Sequence, residues 1–436
     1  MTKRSNALKN LLLIIASFLV LYGANATELP QDDNKVHLGV ASCAASMCHG
    51  SVNSRQVSDV LQNEYIVWSR EDAHSQAYQT LLTAESKSIA KKLGLKNAET
   101  ASICLDCHSD NVKPEYRGDQ FQISDGVSCE SCHGGGADYI SSHTNTSIHR
   151  DVNLSKGLYP TDDAQSRAKL CLSCHLGNSD KQATHDIMGA GHPRLAFELD
   201  TFTILQPLHY VLDDDYKKNK WFADSYVTWV YGQLEASRAT LQLIESNLID
   251  NTSLFPELSL FDCHSCHHPM SDLKWTQAKG QGFKPGAVRL NDGNLKMLLV
   301  IASSAGEDKS LHLHLTSMSQ GLNDKQQLLS SVAQINRVIE SIQKVLAEQS
   351  PSVRKNAAKH TLRQILSMGA KGQFSDYIAA EQAVMATDLL LDYLDQKDTF
   401  SKELEMLFKI VAQEEKYIAS ELSQKLGLIN SELAIL

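Results

Sequence analysis

Beyond its first two dozen residues the chain has no segment approaching about 20 uninterrupted apolar residues, so no later stretch is long enough to cross a bilayer as a helix. It is also short of positive charge. With 41 Lys and Arg against 51 Asp and Glu, the formal net charge is −10, a poor match for nucleic acid and a better one for partners with basic docking patches. No cysteine stands alone, which argues against an intermolecular disulfide or a single reactive thiol. What the N-terminus does have is Lys3, Arg4 and Lys9, an apolar run from Leu11 to Tyr22, and small residues at Ala24-Asn25-Ala26. This pattern predicts a secretory signal over 1–26, cut after Ala26, with the mature chain on the oxidising, periplasmic side of the membrane and without an integral membrane segment. Removing those three positive charges takes the net charge from −10 to −13. Some 410 residues remain, for which two domains are expected.

The ten cysteines form five pairs, each followed at once by histidine: Cys43/Cys48-His49, Cys104/Cys107-His108, Cys129/Cys132-His133, Cys171/Cys174-His175 and Cys263/Cys266-His267. With 17 histidines in 436 residues, five such placements arise by chance on the order of once in 10⁷, and C-x-x-C-H is the attachment signature of c-type haem. The spacing has a chemical reason. Two thiols must reach the two vinyl groups on one edge of a porphyrin, and the next residue must turn its imidazole onto the iron from the same side. Zinc sites, the main rival for Cys/His clusters, do not require a histidine directly after the second cysteine. In the first pair four residues separate the cysteines, and this longer loop can bulge outward while the cysteines and histidine keep their places. About five covalently bound haem c groups, with their iron, are therefore expected.

The expected fold is mainly α: a loop-rich multihaem cytochrome c domain over 27–270, a Gly- and Lys-containing linker over 271–289, and an α-helical bundle over 290–436. The porphyrins would supply much of the first domain's core. In the second, Leu328, Val332, Ile335, Ile339, Ile342 and Leu346 form one helical stripe, capped by Asn323 and followed by Pro351. A second helix carries Tyr377, Val384, Leu391 and Leu394. A third runs through Leu404, Leu407, Val411, Ile418 and Leu422 and ends near Gly427, with shorter helices at 294–304 and 354–368. One more helix, about 223–248, belongs to the haem part and could pack the bundle against it.

Trp68-Ser-Arg-Glu-Asp-Ala-His74-Ser-Gln-Ala77 resembles the distal-histidine helix of the cytochrome c-554 family, tetrahaem electron acceptors of hydroxylamine oxidoreductase in nitrifying bacteria. Asp125-Gly-Val-Ser-Cys129-Glu-Ser-Cys132-His-Gly134 resembles that family's Gly-Val-x-Cys-Glu-x-Cys-His-Gly-Pro-Gly stretch, and Cys171-Leu-Ser-Cys174-His175-Leu176 its last haem motif. The resemblance covers roughly Cys43 to Leu176. It departs from the family in the lengthened first motif, in Gly135 where the family has proline, and in the fifth motif and helical region, which have no counterpart there.

Each iron needs a sixth ligand or an open face, and that choice separates electron carriers from enzymes. His74 is expected as a distal ligand, with His192 in Gly191-His192-Pro193 and His185 beside Asp186; the family pattern implies one of His143 and His149. For the fifth position His268, His209 and His37 are candidates, and Met47, Met188 and Met270 could replace a histidine, whereas His264 lies inside its own attachment loop. His312, His314 and His360 are expected to be structural. The expected function is electron transfer between redox partner proteins, with the helical region as a place for a partner to dock. The alternative is an oxidoreductase acting on a small nitrogen or sulfur compound at one five-coordinate haem, with Arg150, Tyr139 and Asp186 near it. The chain has no Cys-x-x-Cys-Lys motif of the kind that marks the active haem of pentahaem nitrite reductases, and fewer haems than the hydroxylamine oxidoreductase type.

Overall fold

The structure is a computed structural model and describes residues 28–54, 60–145, 147–219, 222–249, 256–267, 289–322 and 324–433. The predicted signal, most of the 271–289 stretch, His268, Met270 and Asn323 lie outside these residues. The chain is mainly helical. Among the described residues the only β pairing is two isolated bridges, His37 with Arg117 and Phe261 with Leu290.

The N-terminal part is built of short helices joined by long loops: α1 (Glu64–Glu71), α2 (Ser102–His108), α3 (Cys129–His133), α4 (Ala164–His175), α5 (His185–Ala190) and α6 (Leu199–Leu205). The attachment motifs end α2, α3 and α4, so each motif histidine is the last helical residue. The buried apolar clusters here are small. Leu81, Ala90, Ala98 and Leu105 make one; Ala168 and Leu172 of α4 make another with Leu199 and Ala236. A stretch of this length cannot offset its chain entropy with so little apolar burial, so something else must fill its interior.

The C-terminal part has a core of the ordinary kind. α7 (Ser225–Ile244), α8 (Gly293–Ala305), α9 (Asp308–Gln320), α10 (Lys325–Glu348), α11 (Pro351–Ala370), α12 (Tyr377–Tyr393), α13 (Ser401–Ile410) and α14 (Ala419–Leu433) enclose one continuous apolar cluster. The stripe from Leu328 to Leu346 is wholly buried in it, and α10 is capped by Asp324, whose carboxylate accepts from the Gln326 and Gln327 N–H groups. Pro351 opens α11, where its missing N–H costs nothing.

Three boundaries differ from the sequence reading. α7 is assigned by sequence to the haem part, yet Tyr226, Trp229, Leu234 and Leu241 lie in the bundle's own core while Ala236 packs on α4. The single helix expected from Leu404 to Gly427 is two, α13 and α14. Side chains tie down the break between them: Tyr377 donates to the Val411 carbonyl at 2.6 Å and Tyr417 to the Phe374 carbonyl at 2.7 Å. Helix α9 is an additional element that the periodicity did not single out. Gly306 ends α8 in the left-handed conformation, whereas Gly427 lies inside α14 and Gly369 serves close approach. A Cβ on Gly369 would stand 2.2 Å from Leu426 Cδ1, so α11 and α14 can cross at this distance only because Gly369 has no side chain.

Candidate haem sites

Each of the five motif histidines faces one other histidine across a nearly constant gap. The ring centres are 6.3 Å apart for His49 and His143, 6.3 Å for His108 and His192, 6.4 Å for His133 and His209, 6.1 Å for His175 and His74, and 6.1 Å for His267 and His185. An imidazole nitrogen binds a transition metal at about 2.0–2.1 Å and sits roughly 1.1 Å from its ring centre, so two imidazoles on opposite sides of one metal have centres about 6.2–6.4 Å apart. Five independent pairs at this spacing, in a region with almost no apolar core of its own, fit haem c with histidine on both faces. Zinc does not fit, because among the described residues no three His, Cys, Asp or Glu side chains converge, and none of the ten cysteines is spent in a disulfide.

The lengthened first motif brings its histidine N–H back to its first cysteine's carbonyl, as the fifth motif does. Its loop is closed by Cys48 N–H to the Ala45 carbonyl, and the His49 N–H still reaches the Cys43 carbonyl at 3.2 Å, as the His267 N–H reaches that of Cys263 at 2.7 Å. Gly50 allows the bulge, since a Cβ there would meet the Ala44 carbonyl oxygen at 1.9 Å.

The ten attachment thiols, equivalent in sequence, are not equally enclosed. Eight are partly buried, whereas Cys48 and Cys266, the second cysteines of the first and fifth motifs, are exposed. The cause is local in both cases. Cys48 lies at the end of the outward bulge. The fifth motif is a 3₁₀ turn, Cys263–Ser265, that stops before Cys266, where the motifs of α2, α3 and α4 keep both thiols and the histidine on a helix. Cys266 and His267 therefore stand at the surface, held to the turn by the Cys266 N–H to the Cys263 carbonyl at 3.2 Å.

The resemblance stretch around Cys129 has a physical basis that sequence could not supply. Glu130 is buried, and its carboxylate accepts three backbone N–H groups, from Leu38 at 2.8 Å, Gly39 at 2.7 Å and Gly136 at 2.7 Å, fastening the N-terminal loop to the third motif. Gly126 has φ +75°, and a Cβ there would lie 2.8 Å from the His74 carbonyl oxygen. That carbonyl accepts from the Val127 N–H at 3.1 Å, and Trp68 Nε1 donates to the Val127 carbonyl. The loop before the third motif thus holds His74 toward the fourth. His74 itself lies past the helix expected for it: α1 stops at Glu71, and His74 sits in a following 3₁₀ turn, Ala73–Gln76, capped by Asp72.

The rings differ in what holds their second nitrogen. Glu64 accepts from His49 Nδ1 at 2.9 Å and Asp72 from His74 Nδ1 at 2.8 Å. These carboxylate hydrogen bonds raise the pKa of both histidines, and Asp72 itself is drawn down to about 2, burial being outweighed by its bonds to His74 and Gln206. His143 donates to the Ile140 carbonyl and His192 to the Pro193 carbonyl, both at 2.7 Å. Burial lowers the pKa of His133 and of His175 to about 4, keeping the rings neutral with a free lone pair, the form a metal binds. Phe197 stacks on His175 at 4.6 Å.

Several expected residues stand elsewhere. His149 is 78 % exposed, pairs with Asp151 and faces no motif histidine; His143 has that place. Asp186 is exposed and forms no hydrogen bond with the His185 ring; the carboxylates meet His49 and His74 instead. His37 is fully buried with both nitrogens taken, by Asp110 at 2.8 Å and the Pro30 carbonyl at 3.1 Å, leaving none for a metal. Met47 is exposed. His264 stands near Glu414 and Tyr377, and His360 bonds Ser303. His209, one of three equal candidates in sequence, faces His133; its signal is spatial only.

The sites also touch one another. Cys43 lies beside Cys129 and Cys107 beside Cys174, bringing the first motif to the third and the second to the fourth. Cys132 lies near Cys171 and Cys174, which brings the third motif to the fourth. Helix α5 begins at His185, and His192 follows just past its Gly191 cap, so one short segment carries the partners of the fifth and second motifs. The fifth motif is braced on its other side by Asp262, whose N–H reaches the Arg289 carbonyl and whose carboxylate pairs with the Arg289 guanidinium at 3.1 Å.

No curated protein and no solved structure matches the chain. Residues 42–134, about a fifth of the sequence, match the family model described as cytochrome c554 and c-prime, a span that holds the first three motifs; the Cys171–Leu176 stretch lies beyond it. Over that segment the chain is a c-type cytochrome similar to cytochrome c554, whose chemistry is electron transfer by haem c and its iron.

Proposed function

We propose that the protein is a periplasmic pentahaem electron carrier, with every iron held between two histidines. The observation that carries this reading is the set of five facing pairs, His49/His143, His108/His192, His133/His209, His175/His74 and His267/His185, all at 6.1–6.4 Å. The cysteine pairs tether the groups and the histidines close both faces. Bound haem supplies a one-electron Fe(III)/Fe(II) couple. Two-sided ligation leaves no coordination position for a small molecule, which favours a carrier over an oxidoreductase with an open site.

The contacts between motifs support a single row of sites in the order first, third, fourth, second, fifth. The fifth site then lies at the end nearest the bundle, where Arg194 pairs with Glu381 of α12 at 2.6 Å and with Glu414 at 3.2 Å. This makes the bundle a brace for the last site, and its surface a place where a redox partner can dock.

Low-temperature electron paramagnetic resonance of the oxidised protein, with and without nitric oxide, tests the reading. Five low-spin haems indifferent to the ligand are expected. One high-spin haem that binds nitric oxide would move the function to catalysis on a small molecule. Intact mass tests the rest: five haems on a chain beginning at Thr27 fit both export and the count, while four would remove one cysteine pair, Cys43 and Cys48 first, from the attachment set.

A further inference from the structure

Of the ten facing histidines, the described contacts give two a carboxylate on Nδ1: His49 receives Glu64, and His74 receives Asp72. The other ring acceptors are neutral. Ile140, Pro193 and Ala77 offer carbonyl oxygens to His143, His192 and His108, the last shared with the Thr80 hydroxyl. At the opposite extreme, His209 Nδ1 is buried with no partner among the described residues. Both carboxylates are held in place by further bonds. The Gln62 N–H donates to the other oxygen of Glu64 at 3.1 Å; Asp72, only 4 % exposed, also accepts from the His74 N–H at 3.0 Å and from Gln206 Nε2 at 2.9 Å.

We propose that Glu64 and Asp72 are positioning residues that set reduction potential, making the first and fourth haem sites the low-potential members of the set and the His133/His209 site a high-potential one. The proposal rests on the bis-histidine reading. A carboxylate accepting Nδ1–H draws that proton and gives the ring imidazolate character, which makes Nε2 a stronger donor. A stronger donor stabilises Fe(III) over Fe(II), so the site takes up its one electron at lower potential. A neutral carbonyl does this less, and a ring with no acceptor least. Gln206 follows directly on α6 and lies three residues before His209, so one short segment both fixes the Asp72 carboxylate and delivers the ring of the site with no acceptor.

The test is a potentiometric titration of the holoprotein followed by electron paramagnetic resonance, on wild type, Glu64→Gln and Asp72→Asn. In Glu64→Gln one low-spin signal should shift to higher potential with the others unmoved and the haem count unchanged. In Asp72→Asn a different signal should shift the same way. Glu64 is near the surface, so its variant keeps the test decisive even where loss of the Asp72 cap prevents folding. Retention of all low-spin signals with no shift in Glu64→Gln overturns the proposal and leaves the bis-histidine reading standing; so does conversion of that haem to high spin, which would make Glu64 a prop for His49. A wild-type spectrum that already contains high-spin haem would overturn the bis-histidine reading itself.

Discussion

Replacing His209 by alanine is the sharpest perturbation of the site geometry. His209 stands 6.4 Å from His133, centre to centre, and shares that gap with no other histidine, so on the proposed pairing the substitution would remove one of the two histidines holding one haem. The haem itself should stay, because Cys129 and Cys132 still tether it. With five equivalent pairs, about one fifth of the low-spin intensity should convert to high spin and the other four signals should persist. Low-temperature electron paramagnetic resonance with intact mass reads both quantities. His149→Ala is the matched control, and with the ring exposed against Asp151 its spectrum should equal wild type. An unchanged low-spin count in His209→Ala, or a loss in His149→Ala, would refute the pairing.

Glu130→Ala strands three backbone N–H groups, two of them buried, and at roughly 1–3 kcal/mol for each buried unsatisfied group it should cost several kcal/mol, read as a lowered denaturation midpoint of the holoprotein. In the bundle, Lys296 is buried between Asp292 at 2.7 Å and Asp376, and Lys296→Met should destabilise by about 3–5 kcal/mol while leaving haem spectra unchanged, measured by parallel far-ultraviolet and Soret unfolding curves. His37 is desolvated, which alone would lower its pKa, but its bond to Asp110 and the nearby acidic charges outweigh this and raise it above the ordinary value of 6.5. Its contribution to stability is therefore complete below the unfolded pKa and is lost as pH rises through the folded one. Wild type should lose stability more steeply than His37→Gln as pH rises above about 6.5, and equal slopes by denaturant titration would refute the assignment.

The expectation of haem attachment came from sequence alone, because a covalent motif is local: two cysteines and a histidine within five or seven residues would serve one edge of one porphyrin. Sequence also determined the bundle's buried stripe in α10, since a helical period records which face is apolar. The ends of elements were less legible. α13 and α14 read as one periodic run because the side chains that tie their break, Tyr377 and Tyr417, find their carbonyl partners through tertiary contact. How deeply each motif is enclosed was equally hidden: Cys266 and Cys107 occupy the same place in identical spacings, yet one is exposed and the other partly buried against Cys174. His74, His192, His185 and one of His143 and His149 were candidates from sequence, but which motif each one faces was decided by tertiary structure alone. His74 follows the first motif but faces the fourth, His209 faces the third, and His185 faces the fifth although it precedes that motif. His49 and His143 meet through α1, the third motif and the loops around them, while His149, a few residues away, reaches solvent. A ring becomes an axial partner by its distance and angle to another ring far along the chain, and such a relation has no period or spacing to read.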